Sequence, residues 1–280
     1  MTAPIGIFDS GYGGLTVLRE IRQLMPEYDY LYLGDNARAP YGPRSFERVY
    51  EFTLQAVRRL FDFGCPLVIL ACNTASAKAL RSIQQRDLPQ LFPPATPGAL
   101  PDRRVLGVIR PTAEVVGQLT RTRHVGIVAT QGTISSHTYE LEIAKLFPDI
   151  IVTGQACPMW VPLVENYEFN SPGADYFIRR DMERLLQRDP QIDTVILGCT
   201  HFPLLYNKVR ACTPAHVQLI SQGEYVAASL RDYLHRHSDM ADRLSRTHAL
   251  RFLTTEEPAN FAPSAAIFLG HPVEAQKITL

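Results

Sequence analysis

Lysine is scarce in this chain. Of its 28 basic residues only Lys78, Lys145, Lys208 and Lys277 are lysines, and none falls in a segment that reads as a Schiff-base site. A pyridoxal cofactor is therefore not expected. Charge of one sign is also lacking: 28 acidic residues cancel the 28 basic ones, so no global field draws the chain to nucleic acid or to a membrane surface. No apolar run approaches the roughly 20 residues of a membrane span. Residues 1–8 lack the basic region, apolar stretch and cleavage site of a secretory signal, so a cytoplasmic location is expected. Cysteines are few and unpatterned. Cys65, Cys72, Cys157, Cys199 and Cys212 are odd in number and widely spread, which suits reduced thiols better than a disulfide framework. What remains is a chain of 280 residues, 46% hydrophobic, long enough for one large domain or two small α/β domains. A small molecule is the expected partner, and the sequence leaves a homodimer open.

Short apolar runs alternate with helical patterns, the signature of an α/β fold built on parallel sheets. Residues 5–8, 30–33, 67–70, 125–128, 150–152, 195–197 and 217–220 read as buried strands. Between the second and third, Phe46, Val49, Thr53, Val57 and Leu60 recur at helical spacing, with Ser45 placed as an N-cap and Gly64 as a stop. The segment from Arg86 to Arg104 holds Pro89, Pro93, Pro94, Pro97 and Pro101, a composition against both helix and central strand. It is the natural crossover between two lobes, with the return crossing near Arg210 to His216. The expected division is thus 1–103 plus 214–280 for the first domain and 104–213 for the second. A second breaker-rich loop runs from Asn166 to Gly173.

A faint internal repeat supports two similar halves. Ile5-Gly6-Ile7-Phe8-Asp9-Ser10 is echoed by Val125-Gly126-Ile127-Val128-Ala129-Thr130, each a strand running into a small or polar loop. Val68-Ile69-Leu70-Ala71-Cys72-Asn73-Thr74 is echoed more closely by Val195-Ile196-Leu197-Gly198-Cys199-Thr200-His201. Met25-Pro26 and Phe147-Pro148 each close a helix before the next strand.

Ligands of open α/β sheets bind beyond the carboxyl ends of the strands, where Cys72 and Cys199 both fall, each at a helix entrance. A helix N-terminus favours the thiolate and is expected to lower the pKa of each thiol. A single strand-end cysteine is more often just a small buried apolar residue. The duplicated context argues for function. Inverting an amino-acid α-carbon needs a base on one face and an acid on the other, with the roles exchanged in reverse, and two equivalent thiols meet that symmetry. Ser10, Asn73, Thr74 and Thr200 offer donors beside helix starts, as carboxylate ligands or as ordinary caps. Asp9 follows the first strand, where it would accept an ammonium, assist a thiol or simply cap. His201 is placed to relay the proton of Cys199 or to stand as a structural histidine. Glu165, after an apolar stretch, reads as a surface glutamate.

The motif set Asp9-Ser10-Gly11-Tyr12-Gly13-Gly14, Gly34-Asp35 with Pro40-Tyr41-Gly42, Ala71-Cys72-Asn73-Thr74-Ala75, Val161-Pro162-Leu163-Val164-Glu165 and Gly198-Cys199-Thr200-His201-Phe202-Pro203-Leu204 resembles that of the glutamate racemases, in the same order over nearly the whole chain. The resemblance implies two α/β domains related by a pseudo-two-fold, an active site in the cleft between them, and direct proton transfer without cofactor or metal. It further implies Cys72 and Cys199 as the acid/base pair, Cys72 serving the D-enantiomer and Cys199 the L-enantiomer. Asp9 would support the first thiol, and Glu165 with His201 the second. Asp9, Ser10, Tyr41, Gly42, Asn73, Thr74, Thr200 and His201 would line the substrate, and the product would feed peptidoglycan. Against the family's usual pattern, the proline-rich crossover and the loop after Glu165 look long, and Ser221 stands where Asp often follows a late strand. The crossover is expected to tune closure of the lobes.

Rival readings fare less well on these residues. A dinucleotide fingerprint would want its third glycine where Thr16 stands, and no phosphate-loop Lys-Ser/Thr exists. A zinc hydrolase using Cys72, Cys199 and His201 lacks a close Cys-x-x-Cys pair. A binding module would leave the twin cysteines unexplained. Racemisation of another amino acid such as aspartate stays open, because pocket size rather than the thiol pair sets the side chain accepted.

Overall fold

The computed structural model describes residues 3–93 and 102–280. Ten strands fall into two all-parallel sheets among these residues. They are β1 (Ile5–Asp9), β2 (Tyr30–Gly34), β3 (Leu67–Leu70), β4 (Arg104–Gly107), β5 (His124–Ala129), β6 (Ile151–Ala156), β7 (Thr194–Leu197), β8 (Gln218–Ile220), β9 (Leu250–Thr254) and β10 (Ala275–Lys277). The first sheet runs β10-β9-β2-β1-β3-β4 and the second β6-β5-β7-β8.

The repeat seen in the sequence is a repeat of topology. β2-β1-β3-β4 and β6-β5-β7-β8 have the same order, so β1 corresponds to β5 and β3 to β7. Even the register agrees: Phe8 pairs with Leu70 in one lobe and Val128 with Leu197 in the other. In each sheet the chain moves to one side of its first strand and then to the other, which opens a crevice at the carboxyl ends of the two central strands. Cys72 and Cys199 each lie two residues beyond those registered leucines. The central strands β1, β3 and β7 are buried throughout, as expected of sheets covered by helices on both faces.

The helix Phe46–Asp62 begins where the sequence placed it, with Ser45 Oγ accepting from Arg48 N at 3.3 Å. It ends before Gly64, whose φ of 89° lies in the left-handed region that favours glycine. Helices Gly14–Leu24 and Thr138–Leu146 stop at Met25 and Phe147, the residues before Pro26 and Pro148.

Several expectations need correction. The Arg86–Arg104 segment is not uniformly broken: a π-turn spans Ile83–Asp87 and a helical turn spans Leu88–Leu91, which accommodates Pro89 in its first turn. Pro94, Pro97 and Pro101, on which the idea of a closure-tuning crossover rested, lie outside the described residues. Strand pairing also moves both crossings later. Arg104–Gly107 pairs with β3 in the first sheet, so the chain leaves that lobe at Val108 rather than before Arg104. Gln218–Ile220 pairs with β7, so the return falls at Ser221-Gln222 rather than near Arg210 to His216. By sheet membership Arg104–Gly107 goes with the first lobe and Gln218–Ile220 with the second, the reverse of a division at 104 and 214.

The C-terminal region holds elements the sequence reading did not place. β9 pairs with β2 and β10 with β9, extending the first sheet, and helix Pro258–Leu269 packs Phe261 and Phe268 against Tyr12 at 5.5 and 6.1 Å between ring centroids. Leu253 in β9 is fully buried. Truncating it in Leu253→Ala is expected to cost about 2–5 kcal/mol in urea unfolding if this extension is integral to the first lobe. A loss below about 0.5 kcal/mol, the level of a surface change, would contradict that placement.

Candidate active site

The carboxyl ends of both sheets face one cavity of about 130 Å³. Ser10, Tyr41, Gly42, Cys72, Asn73 and Thr74 reach it from the first lobe, and Glu165, Cys199, Thr200 and His201 from the second. A larger hollow of about 780 Å³ lies elsewhere, around Lys78, Arg81, Arg110, Glu142 and Arg236, but it holds neither Cys72 nor Cys199. The chemistry-bearing residues single out the smaller cavity.

Cys72 is the N-cap of helix Asn73–Lys78, and its sulfur accepts from Ala75 N at 3.4 Å. Ser10 Oγ shares a second hydrogen bond with that sulfur at 3.4 Å. Both contacts favour a thiolate, yet burial outweighs them and, with the nearby Asp9 carboxylate, pushes the Cys72 thiol up to about 12. The helix N-terminus thus does not lower this pKa as the sequence led one to expect. At neutral pH Cys72 is therefore a thiol.

Cys199 sits differently. No α-helix starts at it; a turn leads instead into the 3₁₀ segment Phe202–Leu205. Its charge partner is His201, whose Nδ1 lies 3.9 Å from the Cys199 sulfur and whose Nε2 is 3.0 Å from Glu165 Oε1. Burial by itself would lower the imidazole pKa, but hydrogen bonds to Cys199 and Glu165 raise it to about 10. His201 is therefore an imidazolium at neutral pH, donating from both nitrogens. Phe268 meets its ring edge-on at 5.5 Å. Glu165 is accordingly no surface glutamate but the acceptor that orients His201. Gly13 belongs to the same packing, since a Cβ there would run into Thr200 Oγ1 and His201 Nδ1.

Asp9 is fully buried and does not line the cavity. Its Oδ2 accepts from Gly11 N at 2.9 Å, holding the turn after β1, while Oδ1 has no partner among the described residues. Burial raises its pKa, opposed by the His201 charge and by backbone N–H groups. Tyr41 donates to Asp35 Oδ2 at 2.5 Å, and Asp35 also receives Arg38, so the loop carrying Tyr41 and Gly42 is pinned from behind. The loop after Glu165 packs away from the cavity: Tyr167 OH lies 2.7 Å from Ser264 Oγ, and Gly173 already belongs to helix Pro172–Arg188.

The lobes are clasped over the cavity. Gly132 N donates to Gly42 O at 3.0 Å, and a Cβ on Gly132 would meet that oxygen at 2.6 Å. Thr74, Thr130 and Thr133 join hydroxyls across the cleft, with Thr74 Oγ1 2.9 Å from Thr130 Oγ1. The sequence reading missed Thr130. The repeat held its signal, since Thr130 stands after β5 where Ser10 stands after β1. Cys157, Gln131 and Pro158 also line the cavity without having been foreseen. Among the described residues Glu165 and His201 are the only charged side chains in the wall, so a carboxylate bound here meets neutral donors, the His201 cation and the Glu165 anion paired with it. Among the described residues no group of three or more His, Cys, Asp or Glu side chains is arranged to hold a metal ion.

Fold and site together define a class: two-lobed α/β enzymes in which each lobe brings one thiol to a shared cleft. The chain belongs to the Asp/Glu/Hydantoin racemase family, whose pattern matches residues 14–230. It is 39% identical over 284 aligned residues to a glutamate racemase of Dinoroseobacter shibae, covering 98% of each chain. It superposes with a TM-score of 0.87 on the glutamate racemase isoform RacE1 of Bacillus anthracis, 33% identical, covering 99% of this chain and 98% of that one. A glutamate racemase of Francisella tularensis, in complex with D-glutamate, gives a TM-score of 0.84 at 28% identity, over 99% and 98% of the two chains.

The His201 pairing has a consequence for stability. The folded imidazole titrates at about 10 against 6.5 for the free group, so proton binding favours the folded state. That contribution is complete below about pH 6.5 and is lost as pH rises through about 10. A His201→Gln variant is expected to melt below the native protein at neutral pH, with the gap closing as thermal melts approach pH 10. A gap that stays constant or widens with pH would contradict the charged pairing.

Proposed function

We propose that this protein interconverts L- and D-glutamate by moving a proton between the substrate Cα and two cysteines, without a cofactor. The observation that carries this reading is that one thiol from each of two duplicated lobes lines a single cavity, in a chain whose relatives are glutamate racemases. With L-glutamate bound, the Cα–H bond breaks and its proton goes to the Cys199 sulfur, beside the His201 imidazolium. The S–H bond of Cys72 then breaks and its proton goes to the opposite face of Cα. In the reverse direction Cys72 takes the proton from D-glutamate and Cys199 returns one. The protonated resting state of Cys72 matches its part as the donor toward L-glutamate.

The neighbours have supporting parts. Glu165 holds His201, and His201 steadies negative charge on Cys199. Asp9 shapes the turn beneath Cys72 and adds charge near it. Ser10, Asn73, Thr74, Thr200 and the Tyr41-Gly42 loop receive the two carboxylates and the ammonium. Excluding water strengthens every one of these contacts at the moment charge develops on Cα. The D-glutamate formed would supply peptidoglycan synthesis in the cytoplasm. No helix among the described residues is long and apolar enough to cross a membrane.

The test is racemisation of L-glutamate in D2O, followed by circular dichroism and mass spectrometry, with L-aspartate as the comparison. Early in the reaction the D-glutamate formed should carry deuterium at Cα while recovered L-glutamate carries none, because the base on one face is not the acid on the other. Cys72→Ala should lower turnover at least about 1,000-fold, by loss of one proton-transfer group together with its positioning. Equal deuterium in both enantiomers, full activity in Cys72→Ala, or turnover of aspartate in preference to glutamate would contradict the reading.

A further inference from the structure

The two chain crossings between the lobes meet at one side chain, Gln222. It caps helix Gly223–Arg236 at the return crossing and is buried. Its Nε2 lies 2.5 Å from Tyr139 OH, 3.3 Å from Val108 O at the outward crossing and 3.2 Å from Thr112 Oγ1, so one of its two hydrogens goes to Tyr139 and the other is shared between Val108 O and Thr112. Tyr139, fully buried, donates in turn to Asn73 Oδ1 at 2.9 Å. Asn73 is the residue after Cys72 and lines the cavity.

The direction of every bond in this chain follows from its first member. A backbone carbonyl only accepts, so Val108 O requires the amide nitrogen of Gln222, not its oxygen, on that side. The Tyr139 oxygen then receives a proton from Gln222 and has a single proton of its own to give, which goes to Asn73 Oδ1. With its oxygen occupied, Asn73 is left with its NH2 group unspent. That Nδ2 is buried and has no partner among the described residues. A buried donor of this kind in a cavity wall is complementary to an anionic acceptor, and a carboxylate is the one an amino-acid substrate brings.

We propose that Tyr139 and Gln222 are positioning residues that lock the Asn73 amide with its NH2 toward the cavity, so that it donates to a substrate carboxylate. The proposal rests on the reading of the cavity as a glutamate site. A flipped Asn73 would turn its oxygen to that carboxylate and repel it. Asn73 binds the substrate in its ground and transition states alike, so losing the lock weakens binding rather than proton transfer.

Steady-state racemisation by circular dichroism tests this with Tyr139→Phe, which removes one oxygen and keeps the ring. Expected are a KM for L-glutamate raised about tenfold, as for loss of one hydrogen bond to a charged group, and a kcat within about threefold of the native value. The same substitution in an Asn73→Ala background should change KM less than about twofold, because Tyr139 acts through Asn73. Gln222→Leu, which withdraws the donor behind Tyr139, should raise KM in the same direction and carries the test if Tyr139→Phe does not fold. An unaltered KM beside an active native enzyme, a fall confined to kcat, or an effect that persists without the Asn73 amide would overturn the proposal. A native enzyme inert toward glutamate would instead overturn the functional reading, and this inference with it.

Discussion

Everything at the site depends on a single geometric constraint, the meeting of two parallel sheets at their carboxyl ends. A parallel sheet delivers each strand in the same sense, so residues just beyond β1 and β3 emerge side by side, as do those beyond β5 and β7. Turning the two sheets toward each other brings Ser10 with Cys72 to meet Thr130 with Cys199 across a narrow gap. The duplicated order β2-β1-β3-β4 and β6-β5-β7-β8 makes the arrangement nearly symmetric, matching a reaction whose substrate and product are mirror images at one carbon.

The symmetry is architectural and is broken electrostatically. Cys72 has a helix N-terminus and a serine, but burial and a buried aspartate keep its proton on. Cys199 lacks the helix start and has instead a histidine whose pKa is raised by hydrogen bonds to Cys199 itself and to Glu165. Two equivalent strand ends therefore carry thiols with different electrostatic surroundings, which suits the acid and base roles proposed for them. Two of the buried side-chain atoms without a partner among the described residues, Asp9 Oδ1 and Asn73 Nδ2, flank the Cys72 side, one an acceptor and one a donor. The Gly42–Gly132 backbone contact and the threonine hydroxyls tie the two lobes together beside the cavity.

The most legible parts of this fold are those written in local patterns. Seven apolar runs became strands because uninterrupted apolar stretches bounded by turn residues have few other uses, although β6, expected to be buried, is half-buried with Ile151 exposed; the Cys72 and Cys199 echoes identified the site because they repeat strand, turn and thiol together. β4, β9 and β10 escaped notice. β4 begins at Arg104 after a proline-rich stretch, β9 carries Arg251 as its second residue, and β10 ends in exposed Gln276 and Lys277. Short strands of that kind are fixed by a neighbouring strand rather than by their own composition. Both crossings were misplaced for the same reason, since only pairing shows where a lobe's last strand lies. Glu165 looked like a surface residue because the partner that orients it, His201, is remote in sequence and near in space. The helix-terminus argument for Cys72 failed because it weighed the local dipole without the desolvation that only a packed structure supplies.

The most direct measurement is a crystal structure with D-glutamate bound. The account expects its Cα between the Cys72 and Cys199 sulfurs, one on each face and each within proton-transfer reach, with a carboxylate on the Asn73 amide nitrogen. Glutamate bound outside the cavity, or both sulfurs on one face of Cα, would contradict it.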